Sequence, residues 1–298
     1  MKFVVTGGAG FVGSNLVKLL VNEGHTVIVI DNLVKGKKSN LESVLDKIKF
    51  YEIDIRDYKS LKKILKNIDG VFHQAALTVV QDSFDKPEEY HEVNVVGTDN
   101  IFKLANENNF KVVYASSSSV YGHKDSMPIT EDSMREPINP YGQTKLDDEY
   151  LYEKYSKMGT KIIGLRYFNI FGEGQTLEYA GVITKFLDRI KQKKSPIIFG
   201  DGSQIRDFIF VEDVVMANLL AMMSEVSNLL VNIGTGKAIT IVELANMMLD
   251  ISKIDLEPIF KDLLDGDIKE SQANNTLAVE SFNWKPKKRL SEWLKEIL

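Results

Sequence analysis

Residues 2–31 read KFVVTGGAGFVGSNLVKLLVNEGHTVIVID, and the reading of the whole chain starts from them. Lys2-Phe3-Val4-Val5-Thr6 is rich in β-branched and aromatic side chains, the composition of a strand. The run stops at Gly7-Gly8-Ala9-Gly10-Phe11-Val12-Gly13, after which Phe11, Leu16, Val17, Leu19 and Leu20 fall on one side of a helix. A second short apolar run, Val27 to Ile30, ends in Asp31. Strand, glycine turn, helix, strand and acid, in that order, make the mononucleotide-binding unit of a doubly wound sheet.

The glycines meet three needs. One allows the tight turn, one lets a pyrophosphate approach backbone amides at a helix N-terminus, and one lets helix and strand pack closely. Gly7, Gly10, Phe11, Val12 and Gly13 are therefore expected against a cofactor. Asp31, at the end of the second strand, is placed to accept hydrogen bonds from ribose hydroxyls and to repel a 2′-phosphate, which selects NAD over NADP.

The 298 residues, 44% hydrophobic, suffice for two domains or for a sheet domain with an appended lobe. A net charge of −5 gives no electrostatic case for nucleic acid or an anionic membrane. With no cysteine, there is no disulfide, thiolate nucleophile or cysteine-ligated metal, and His25, His73, His91 and His123 lack metal-ligand spacing. No metal is expected. No signal-like run precedes the first strand and no apolar run nears the ~20 residues that span a bilayer, so a soluble cytoplasmic protein is expected.

Strand and helix signals then alternate. Ile48–Glu52 reads as a third strand running into Asp54-Ile55-Arg56-Asp57, a loop where ligands of open α/β sheets sit. Lys35-Gly36-Lys37-Lys38 reads as an exposed loop. A helix over 58–65, a strand over 71–73, one long helix from Pro87 to about Asn108, a strand over 112–115, a helix from Pro140 and a strand over 162–166 follow. Five β-then-α alternations give an α/β fold with a doubly wound parallel sheet. From about Gly172 the alternation loosens, through a basic helix over 182–194, a turn at 200–202, a strand over 208–211 and an apolar helix over 214–223. Beyond lie an apolar run over 230–233, a capping box at Thr240 and Glu243, and an amphipathic tail with Trp293. Residues 1–172, with about 206–234 returning to them, are expected to form the cofactor-binding domain, and 173–298 a smaller α/β substrate lobe.

Tyr141 and Lys145 lie four apart, on one helical face. A phenol ordinarily titrates near ~10. A neighbouring ammonium and an oxidised nicotinamide ring would stabilise the phenolate, giving a general base for a sugar hydroxyl. Alone, the pair reads more readily as a tyrosine at a helix start beside a solvated lysine. The cluster Ser116-Ser117-Ser118-Ser119 at the end of the preceding strand favours the chemical reading, since a serine can relay a proton to the phenol.

Taken together, these motifs resemble the extended short-chain dehydrogenase/reductases of the NAD-dependent epimerase/dehydratase family, and within it the UDP-hexose 4-epimerases. The resemblance rests on Thr6–Gly13, Asp31-Asn32-Leu33, Asp54–Asp57, His73–Ala76, Asn94–Thr98, Ser116–Gly122, Pro140–Lys145, Leu165–Gly172 and Arg206–Val211. It implies a Rossmann sheet. Gly7, Gly10 and Gly13 would hold the pyrophosphate, Asp31 and Asn32 the adenosine ribose, and Asp54 and Ile55 would flank adenine. Ala75 and Asn94 would lie along the cofactor, and Tyr167 near the nicotinamide. Ser117, Tyr141 and Lys145 would be catalytic, with Lys145 also on the nicotinamide ribose, while Asn169 and Arg206 would hold the diphosphate of a UDP-sugar. The implied reaction takes a hydride from C4 to NAD, turns the 4-keto sugar over and returns the hydride to its other face. A homodimer through the helices starting near Pro87 and Pro140 is also implied.

Within the family, dehydratases carry an acid pair where Ser118 and Ser119 stand here, and decarboxylases a Glu at the position of Ser119. Serine does not replace a carboxylate in that work, which leaves epimerisation. One departure is Leu264, where relatives place a second arginine before a Gly-Asp pair, here Gly266-Asp267. Either Arg206 acts alone, Lys261 or Lys269 substitutes, or the substrate differs. Ser271 falls where a bulky aromatic closes the sugar pocket of glucose-restricted relatives, and its small side chain implies tolerance of UDP-N-acetylhexosamines.

Overall fold

The computed structural model describes residues 1–175 and 181–298. Strands β1 (Lys2–Thr6), β2 (Thr26–Asp31), β3 (Ile48–Glu52), β4 (Gly70–His73), β5 (Lys111–Ser117) and β6 (Ile162–Tyr167) lie in one parallel sheet. Next come β7 (Asn169–Phe171), β8 (Ile197–Phe199), β9 (Ile205–Phe210) and β10 (Asn228–Ile233), and the last of these joins the sheet as a seventh strand beside β6. The order β3-β2-β1-β4-β5-β6-β10 reverses direction at β1. Open sheets of this kind hold ligands at that reversal, outside the carboxyl ends of the strands.

Near-continuous apolar strands are what a parallel sheet buried on both faces requires. Alternate side chains go to opposite faces. Phe3 and Val5 of β1 pack on the side covered by the helices Phe11–Asn22 and Val211–Met223. Val4, between them, packs on the other side, with Leu61, Ile101, Phe102 and Tyr155.

The remaining strands are β11 (Ala238–Thr240), β12 (Ile259–Lys261) and β13 (Glu270–Ser271). β9 pairs with β11, β13 and β7, and β8 pairs with β12. Several elements differ from the sequence reading. Val80–Asp85 is an additional helix, β9 starts at Ile205, and the chain passes straight from Phe210 into the following helix. The long helix from Pro87 to Asn108 is interrupted by a π-helical segment, His91–Val96, which turns Asn94 fully into the interior. The basic loop keeps Lys37 and Lys38 exposed, as expected, while its backbone folds against the glycine turn, the Lys37 amide donating to Ala9 O at 3.0 Å.

Candidate active site

A cavity of about 350 Å³ opens at the reversal of the sheet. Gly7, Gly10, Phe11, Val12 and Gly13 line one end of it. Gly7 has φ +65°, and a Cβ there would lie 2.7 Å from the Ala75 backbone. At Gly13 a Cβ would lie 2.1 Å from Gly7 O, so the helix can approach the turn only without a side chain. No side chain caps this helix at Gly10. Its first amides and the positive end of its dipole therefore face the cavity, an arrangement suited to a pyrophosphate.

Asp31 is buried at the same end, with its carboxylate accepting from the Ala9 and Leu33 amides at 2.9 and 2.8 Å. Burial raises its pKa, and the two amides oppose that shift. Asn32 and Ile55 also line the cavity. Asp54 stands behind them, taking the Asn32 amide at 2.9 Å and both the Nε and Nη2 of Arg56. The Arg56 guanidinium holds its carboxyl well below the usual range. These residues fit NAD: a cradle that a Cβ would fill, an uncapped helix start and a carboxylate fixed by backbone amides.

Ala75, close against Gly7, lines the same cavity, as do Ser117, Tyr141, Lys145 and Tyr167. Asn139 caps the helix Pro140–Lys157 by accepting from the Gly142 amide at 2.8 Å, and Pro140 sets the first turn. Tyr141 and Lys145 consequently share the face turned to the cavity. Ser117 ends β5, and its Oγ is oriented by the Ser119 amide at 3.1 Å. The Tyr167 hydroxyl bonds Gln74 and Asn218, and burial keeps its phenol protonated well above the usual range.

Asn94 does not reach the cavity. It accepts from the Leu77 amide at 2.8 Å and donates to Leu77 O and to Thr144 Oγ1, joining the loop after β4 to the helix Pro140–Lys157. Sequence reading missed a buried polar line beneath the site. Thr6 Oγ1 lies 2.7 Å from His73 Nδ1, His73 Nε2 lies 3.0 Å from Thr98 Oγ1, and Asp148, wholly buried, pairs with Lys145 at 3.0 Å. Burial, with the Lys145 ammonium nearby, lowers the His73 pKa to about 3. A neutral ring donating from Nε2 and accepting at Nδ1 satisfies both threonines.

The expected substrate residues share the small sheet beside the cavity. Arg206 on β9 faces Ser271 on β13 in register, and Asn169 on β7 donates to Asp207 O at 3.4 Å. Arg206 is buried and bonded through Nη2 to Asp267 Oδ1 at 2.6 Å. Leu264 is half-buried, and Lys261 and Lys269 are exposed. The loop that carries Leu264 docks against two helices, with Gln81 of Val80–Asp85 donating to Asp265 O at 3.0 Å and Asn139, the cap of Pro140–Lys157, donating to Gly266 O at 3.4 Å.

Residues 3–234 match the model of the NAD dependent epimerase/dehydratase family. A UDP-glucose 4-epimerase of Lactobacillus helveticus is 36% identical, over 96% of this chain and 92% of its own. A UDP-N-acetyl-alpha-D-glucosaminuronate decarboxylase of Bacillus cytotoxicus is 37% identical, over 82% and 78% respectively. The solved structure of the UDP-N-acetylglucosamine 4-epimerase from Methanobrevibacter ruminantium superposes with a TM-score of 0.93 at 37% identity, covering 99% of this chain and 96% of that one. With its glycine cradle, its reversed parallel sheet and a match over most of its length, the chain belongs to the NAD-dependent epimerase/dehydratase family of extended short-chain dehydrogenase/reductases, and its cofactor is NAD.

Proposed function

We propose that this protein inverts C4 of a UDP-hexose. The observation that carries the reading is that Ser117, Tyr141 and Lys145 together line the wall of the same cavity as the glycine cradle. NAD, when bound, supplies a hydride acceptor that is regenerated within each turnover. Tyr141 takes the proton from the sugar O4 and later returns it. Ser117 holds the same oxygen by hydrogen bond, and Lys145 places positive charge beside the phenol as it changes charge. Arg206 and Asn169 grip the diphosphate, fixing one end of the substrate while the keto sugar turns. Ser118 and Ser119 leave this wall without the carboxylates that elimination or decarboxylation would use.

A panel of UDP-hexoses incubated with the purified protein and read by NMR tests the proposal. Interconversion of 4-epimers is expected, with a bound reduced-nicotinamide absorbance that Tyr141→Phe abolishes. Dehydrated keto-sugars, pentoses or no turnover of any UDP-hexose would overturn it. Ser271, buried beside Arg206, supports acceptance of N-acetylhexosamines as well. Ser271→Tyr is expected to remove activity on UDP-N-acetylglucosamine while sparing UDP-glucose; equal loss on both sugars would count against that pocket assignment. We also propose a homodimer through the helix Pro140–Lys157, on which Tyr150 is exposed.

A further inference from the structure

Asp148 follows Lys145 by less than one helical turn and is 0% exposed. Its Oδ2 accepts from Lys145 Nζ at 3.0 Å, while its Oδ1 is buried and has no hydrogen-bond partner among the described residues. A buried carboxylate with one oxygen unmatched is costly. The neighbouring Glu149 shows what a satisfied one looks like: it is bonded by Ser116, Arg135 and Arg166. Asp148 is thus committed to the lysine.

An ammonium has three N–H donors. Lys145 directs one to Ala115 O at 3.1 Å and one to Asp148, and it also lines the cavity with Tyr141. We infer that Asp148 is a positioning residue for Lys145, fixing the direction of the ammonium and keeping it charged so that its third N–H is presented to the cavity. This role presupposes the phenol-and-ammonium chemistry proposed above.

The surroundings leave that task to Asp148. Burial works against the charge on Lys145, and Asp148, with smaller contributions from Tyr141 and Glu149, more than offsets it, so the lysine pKa is raised. Of the other groups facing the lysine, Tyr141 and Glu149 lie on its own helix, the second already matched by arginines. His73, from β4, is neutral. Thr98, from the helix Gly97–Asn108, lies against Asp148 and brings no charge. Burial pushes the Asp148 carboxyl up to about 6.

The test uses full-length protein purified with NAD and labelled with ¹⁵N-lysine, the Lys145 Nζ resonance being assigned by its loss in Lys145→Met. In Asp148→Asn, Lys145 should lose its proton at least about one pH unit lower than in the wild type. The alkaline limb of kcat should move down with it, and KM much less. Coupling is reciprocal, so the Asp148 carboxyl, followed by ¹³C, should titrate higher in Lys145→Met than in the wild type. If Asp148→Asn does not fold, the Lys145→Met arm decides, because methionine fills the same space without charge. An unchanged titration of either group in the folded partner variant would assign Asp148 to packing and overturn the inference. Coupled titrations in a protein that turns over no UDP-hexose would instead overturn the proposed function and leave the pairing intact.

Discussion

His73 and Asp148 sit within the same buried line and respond to acid in opposite directions. The folded His73 has a pKa of about 3, against ~6.5 for an unfolded imidazole. Between those values the unfolded chain holds the proton and the folded chain does not. The stability His73 gives is therefore full above pH ~6.5 and is lost as the pH falls toward 3. Asp148, raised to about 6 from an unfolded ~3.9, binds its proton first in the folded state, so acidification through that window favours the fold. Urea midpoints measured from pH 7 to pH 4.5 check the signs. His73→Gln should lose less stability than the wild type on acidification, and Asp148→Asn should lose more. Neither residue stood out in the sequence as a working part, because a lone histidine after a strand and an aspartate within an acidic helix are ordinary. Their importance arises from burial, which only the packed helices create.

Among the elements, the first thirty-one residues were legible because local chemistry decides them: glycines where no Cβ fits and an acid at a strand end. Gly13→Ala tests that reading with two opposed magnitudes. Alanine favours a helix by about 1 kcal/mol over glycine, but its Cβ would sit 2.1 Å from Gly7 O, a clash only a backbone shift relieves. The expected result is a lower Tm and loss of co-purified NAD, read by absorbance after denaturation. The π-helical segment was not legible. Its apolar spacing is that of a plain helix, and what holds the extra residue is Asn94 reaching Leu77 and Thr144, partners distant in sequence. Asn94→Ala strands a buried amide and carbonyl of Leu77, each costing about 1–3 kcal/mol, so the variant should melt well below the wild type. The short strands β7, β11, β12 and β13, two or three residues each, were missed because they are too short to show a period.

Across the whole molecule, the sheet reversal brings β1 and β4 side by side, and the small sheet on β9 gathers residues 169, 206 and 271, the ones proposed to meet substrate. Arg206 is bonded there to Asp267, and Leu264 stands where the family resemblance implies a second arginine. If Arg206 grips the diphosphate without a second arginine, Arg206→Ala should lower kcat/KM for UDP-sugars roughly ten- to a hundredfold, the worth of a hydrogen bond to a charged group. NAD content should be unchanged. A variant losing NAD along with activity would place Arg206 in the cofactor's support instead. The family and the glycine turn were readable from motifs; the partnership of Arg206 with Asp267 was not, since it depends on how the loop at 262–267 docks against Gln81 and Asn139.

The bridge from Tyr167 to Gln74 and Asn218 bears on how the protein is made. A nascent chain that has emerged as far as residue 175 possesses β1 to β6 and the whole glycine turn, yet Tyr167 and Gln74, which line its dinucleotide cleft, still await a bonding side chain forty-three positions downstream. Domains acquire structure from the N-terminus as synthesis proceeds, but here firm retention of the nucleotide is expected only once residue 218 has cleared the ribosome. Translation products stalled short of that point should be the ones that proteases see with their cleft open.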